Sequence, residues 1–185
     1  MGIPTLIKTL TASDSASLAF VDGASDVVLD STYDEYMFVF TDINPVDAAS
    51  LGFQVNATDD AGGGYDTSLI TSTSFNAAHG EDNSIASVVI QAGGDLAQSS
   101  ANQIIANSLS NASDSSCAGV MHLFSPSSTT YVKHFYARFN DVQTDLLSDE
   151  KWTSGYINDT TAIDEIQFKF SSGNFDGVIQ LFGIA

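Results

Sequence analysis

The stretch that most constrains the fold is Val120 to Phe139, VMHLFSPSSTTYVKHFYARF. Two arms rich in β-branched and aromatic residues flank a polar segment, Ser125 to Thr129, that holds one of the chain's three prolines, and this pattern predicts a β-hairpin. In the second arm Tyr131, Phe135, Ala137 and Phe139 share one face, while Val132, His134, Tyr136 and Arg138 share the other. Aromatic bulk on both faces asks for protein on both sides. The hairpin is therefore expected in the middle of a sheet, inside a sandwich or at a subunit contact.

The remaining segments read as further extended strands. Pro4 to Leu10, Leu18 to Val21 and Val27 to Leu29 are short apolar runs, and Tyr33 to Asp42 sets Tyr36, Phe38 and Phe40 against Met37, Val39 and Thr41. Asn44-Pro45 ends that strand, and Val46 to Leu51 suits a single helical turn. Gly52 to Asn56 and Thr67 to Ser74 flank a glycine-rich loop, and Ile85 to Ala92 looks like a buried strand stopped by Gly93-Gly94. The Ser-, Asn- and Ala-rich stretch from Asp95 to Ser116 reads as a long, partly irregular crossover, which suits a jelly roll or Greek key. Asn140 to Lys151 reads as an acidic loop before a short strand, Thr153 to Ile157. Ile163 to Phe170 and Gly177 to Ile184 close the chain as a second hairpin, with the last strand inside the sheet. The expectation is one all-β domain over residues 1–185: an antiparallel, jelly-roll-like β-sandwich of about ten strands with at most short helical turns.

Composition narrows the function. A chain of 185 residues can bury roughly 70% of its unfolded surface in one core. Its one cysteine, Cys117, excludes an internal disulfide and sits in no catalytic signature. Twenty-three acidic residues against five basic ones give a charge of −18, which repels phosphate backbones and anionic bilayers alike. Direct nucleic-acid or membrane binding is not expected. No apolar run approaches the roughly 20 residues of a membrane span, and MGIPTLIKTLTAS lacks the apolar core of a secretory signal. The acidic residues are interleaved with apolar ones, and 43% hydrophobic content belongs to a folded chain.

Chemistry-bearing constellations are few. The loop Thr58 to Tyr65, TDDAGGGY, has an Asp-box-like pattern that implies a hairpin cap; Asn56, Asp59, Asp60 and Asp66 offer calcium the oxygen ligands it prefers, against the plain reading of a tight turn. If the central hairpin closes around Ser128, His122 and His134 stand opposite each other about 5 Å apart, conceivable metal ligands, against the plain and favoured reading of a buried or interfacial pair. His79 is a loop histidine beside Glu81 and Asp82. No nucleophile elbow, zinc-protease, P-loop or dinucleotide motif occurs, so neither an enzyme nor a cofactor is expected. Cations are scarce, and Lys133 and Arg138 fall in predicted strands, where they suit carboxylate partners within the sheet or across an interface; the plain reading lays their stems on the sheet with solvated heads. With His122, His134 and Tyr131 they make a candidate interface. Trp152, with Tyr65 and Tyr156, makes a candidate aromatic platform for a ligand.

LIKTLTAS, the Tyr33 to Pro45 strand, AHGED at Ala78 to Asp82, HLFSPSSTTYVKHF at His122 to Phe135, GYINDTTAIDEIQFKFSSGN at Gly155 to Asn174 and the closing IQLFGI together resemble small virion structural proteins of marine bacteriophages, including those of cyanobacteria. The resemblance covers nearly the whole chain. It implies a virion component made in the host cytoplasm, a homo-oligomer bound to the major capsid protein or other virion proteins. A capsid decoration or cement subunit is the first expectation. The alternative is a tail- or fibre-associated module that binds host glycan.

Overall fold

A computed structural model of the chain describes residues 2–57, 65 and 68–185, and the described residues fold into twelve strands. In chain order these are β1 (Thr5–Ser15), β2 (Leu18–Val21), β3 (Glu35–Pro45), β4 (Ala49–Ala57), β5 (Ile70–Gly80), β6 (Ala86–Ile90), β7 (Gln103–Leu109), β8 (Cys117–Phe124), β9 (Lys133–Val142), β10 (Leu147–Ile157), β11 (Ile163–Phe170) and β12 (Phe175–Ile184). One sheet has eight strands in the order β1-β12-β3-β8-β9-β10-β5-β6, the other four in the order β2-β11-β4-β7. Every strand pairing is antiparallel. Among the described residues no helix is long and apolar enough to cross a membrane.

The topology is a jelly roll with two additions. Setting aside β5, β6, β9 and β10 leaves β1-β12-β3-β8 facing β2-β11-β4-β7, and the chain changes sheet at every step except from β4 to β7, which pair with each other. One added hairpin, β5-β6, lies between β4 and β7; the other, β9-β10, lies between β8 and β11. Both extend the first sheet beyond β8, so an insertion met early in the chain pairs with one met late.

Alternation explains which face is inside. In β3 the side chains of Tyr36, Phe38 and Phe40 are buried, and in β9 those of Phe135, Ala137 and Phe139. Phe168 of β11 is the hub between the sheets, edge-on to Phe38 at 5.2 Å and to Phe40 at 4.9 Å between ring centres. Phe20 and Phe53 complete the packing around it, each 6.4 Å away. Such edge-to-face pairs set the positive ring rim against the negative face of the neighbour. Gly119 of β8 serves the same layer, because a Cβ there would stand 2.5 Å from the ring of its cross-strand partner Phe139.

Several expectations need correction. Val46 to Leu51 forms no helical turn; Ala49 opens β4, whose residues are almost all buried between β7 and β11, and this packing outweighs local preference. The Asp95 to Ser116 crossover contains β7, whose alternation is masked by adjacent Ile104 and Ile105 and by irregular pairing with β4. Asn140 to Lys151 is a hairpin rather than an acidic loop, since β9 runs to Val142 and β10 starts at Leu147. The segment read as a buried strand near Ile85 is the exposed edge strand β6. Lastly, β11 and β12 do not pair; they lie in opposite sheets, and β12 runs between β1 and β3.

Candidate functional site

The candidate site is the outer face of the eight-stranded sheet. Every second residue of each strand points away from the core, and here those residues are largely apolar or aromatic. One cross-strand row runs Phe182, Met37, His122, Tyr136, Ser154 and Thr73, from β12 to β5. The next runs Val39, Val120, Arg138, Trp152, Phe75 and Ile90, from β3 to β6. Phe75, Tyr136 and Trp152 are each about 40% exposed although they sit mid-sheet. Arg138 and Glu35 are among the few charges on this face, and both are engaged. The Arg138 guanidinium bonds the Glu150 carboxylate and lies 4.8 Å from the Trp152 ring centre, while the Glu35 carboxylate bonds the His122 ring.

Two features give this face relief. A groove of about 490 Å³ is lined by Phe124, His134, Tyr136 and Tyr156, with hydroxyls from Thr71, Thr73 and Ser154. The exposed Tyr131 lines a second dent beside it with Phe124 and His134. At the far edge β6 presents Val88 at 73% and Ile90 at 68% exposure, with no charge anywhere in the strand.

The predicted site residues separate. Arg138, His122, His134, Trp152 and Tyr156 share this face, and Tyr131 joins them at its rim. His122 and His134 are not opposite each other, because the hairpin centres on Thr129; His122 faces Tyr136, stacked at 4.5 Å, and His134 faces Tyr156. Among the described residues no group of three or more His, Cys, Asp or Glu could hold a metal. Lys133 is not an interface residue. It is wholly buried on the opposite face of β9, where Nζ donates to the carbonyls of Thr161 and of Asp159, the latter at 3.1 Å. Burial holds its pKa below the ordinary value. Tyr65 lies away from the platform, its hydroxyl bonded to Glu165 of β11. Of the loop proposed for calcium, Thr58 to Gly64 and Asp66 lie outside the described residues. Trp152 is no free platform either: Arg138 lies over its ring and Phe75 runs parallel at 6.3 Å.

Sequence reasoning missed Phe75, which lies one residue past the predicted strand Thr67 to Ser74, Phe124, which ends a strand arm that was expected but was not singled out, and a second cluster on the inner face. There Asp141 and Asp149 face each other across β9 and β10, with Lys151 two residues beyond Asp149; all three are at most 1% exposed. Burial first, and then the Asp149 charge, push the Asp141 carboxyl up to about 8, and burial also raises Asp149. The available signal was the alternation Asp149, Lys151, Thr153 on the inward side of a strand. It was hidden because polar residues there read as loop.

No protein-family model matches the chain, and no curated protein does. A crystal structure of a structural-genomics protein of unknown function from Bacteroides ovatus is similar over 80% of this chain at 7% identity, with a TM-score of 0.21. The match spans 46% of that longer chain.

Proposed function

We propose that this protein is a structural subunit of a bacteriophage particle, of the kind that covers or braces the head shell, and that it docks through the outer face of its eight-stranded sheet. One observation carries the docking part. In a chain of net charge −18, the outer face of the larger sheet carries few charges among its described residues, with Arg138, Glu150, Glu35 and His122 paired there, and exposes aromatic and β-branched side chains. A solvent-only face of such a chain would collect carboxylates. The phage setting rests on the sequence resemblance. Quantitative mass spectrometry of purified particles tests the reading: a copy number in the hundreds supports it, and a handful of copies overturns it.

The groove beside Tyr156 favours a second reading, glycan recognition. Aromatic rings offer a sugar's apolar face a stacking surface, and flanking hydroxyls meet its polar rim. Phe124, Tyr136 and Tyr156 with Thr71, Thr73 and Ser154 supply both. If this reading holds, Tyr156→Ala abolishes binding on a glycan array; array signals absent from the unmodified protein exclude it.

A further inference from the structure

Lys151 of β10 and Asn76 of β5 are direct cross-strand partners on the inner face of the sheet, 1% and 4% exposed. Side chains so placed begin about 5 Å apart, within the span of a lysine. Lys151 Nζ is buried, has no hydrogen-bond partner among the described residues, and belongs to neither ion pair found there. A buried ammonium left that way is costly, and burial lowers its pKa, which favours the free amine, the nucleophilic form.

The Asn76 amide is held at both ends. Its oxygen accepts from Gln91 Nε2 at 2.8 Å, and its nitrogen donates to Asp149 Oδ1. Asp149 is itself wholly buried, and its Oδ2 is without a partner among the described residues. The constellation is thus an unpartnered amine, a carbonyl polarised by an N–H donor, and a carboxyl at the nitrogen that would leave.

We propose that Lys151 and Asn76 join in an intramolecular isopeptide bond, with Asp149 as the proton carrier. The Nζ lone pair attacks Asn76 Cγ, and the charge that develops on Oδ1 meets the Gln91 N–H. Asp149 gives a proton to Nδ2 and takes one from Nζ, so it ends unchanged. The Cγ–Nδ2 bond breaks, ammonia leaves, and an Nζ–Cγ amide remains; nothing is oxidised and no other reactant is consumed. The bond ties the two added hairpins together, since β5 belongs to one and β10 to the other. It does not depend on the assembly reading.

Mass spectrometry of the purified, denatured full-length chain tests the proposal. The expected mass is about 17 Da below that of the open chain, the loss of one ammonia. Trypsin then fails to cut after Lys151, and the peptide 139–169 appears only joined to the peptide 9–133 that carries Asn76. Lys151→Arg and Asn76→Ala each restore the open mass and the separate peptides, whether or not they fold, and Asp149→Ala leaves most of the chain open. An open-chain mass in the unmodified protein overturns the proposal. So does a loss of about 18 Da mapped to an aspartate, which is condensation with a carboxyl instead.

Discussion

Asp141 and Asp149 stand directly opposite each other with almost no access to water, an arrangement that two carboxylates tolerate only if a proton is held. With its carboxyl pushed up to about 8, Asp141 binds its proton more tightly folded than unfolded. The stability it contributes is therefore complete below the unfolded carboxylate range and lost as pH rises through about 8. Thermal melts should show Tm falling from about pH 5 to about pH 9, and Asp141→Asn, which keeps a neutral side chain, should flatten that fall. Gly119 makes a second prediction. The Phe139 ring lies where its Cβ would be, so Gly119→Val should destabilise by about 1–3 kcal/mol in denaturant titration. At this scale the sequence was legible where a side chain had one obvious environment. Alternation alone put Phe38 with Phe40, and Phe139 with Phe135 and Ala137, on shared faces, and Lys133 has the same parity as Phe135, but aromatic bulk on both faces left the inner one unmarked and the polar run around Lys151 read as loop.

At the scale of strands, legibility followed composition. The hairpin β8-β9 was found because both arms are apolar and its turn holds a proline, and it does sit mid-sheet. The hairpin β9-β10 was missed because its inner face carries aspartates and a lysine, which periodicity reads as solvent. Its turn is tight: Leu146 donates to the Gln143 carbonyl at 3.0 Å and adopts φ 57° with its side chain largely exposed. A leucine pays steric strain in that left-handed conformation, so Leu146→Gly should raise stability by about 0.5–1 kcal/mol, read as a shift in the urea midpoint. The pairing of β11 with β2 and β4 rather than with β12 could not be read from local pattern at all. A short connection fits a hairpin and a crossing between sheets equally well, and only the match of Phe168 with four other phenylalanines decides it.

For the molecule as a whole, charge and shape pull against each other. A net −18 opposes compaction and association, while the outer sheet face favours contact. Adding salt should therefore raise Tm, because screening weakens self-repulsion while leaving apolar burial in place. Light scattering should find an assembly of several chains in which the outer face is covered, and Tyr136→Asp, a carboxylate in the middle of that face, should release single folded chains. Unchanged mass in that variant would put the contact elsewhere. The antiparallel sandwich was legible from the number of strands and the absence of long amphipathic segments, and its jelly-roll form from the long connection between Asp95 and Ser116, although that connection holds β7. The extension beyond β8 was not, since it arises from two insertions distant in the chain that meet only in space.

The sheet also ends badly. Its last strand offers unused backbone donors and acceptors beside Val88, Val89 and Ile90, without the lysine, proline or bulge by which natural edges turn neighbours away. Until something caps it, this rim is a template for stacking one chain on the next, and concentrated stocks of the free polypeptide should slowly gel or grow dye-binding fibrils. A single Val88→Lys change should suppress both.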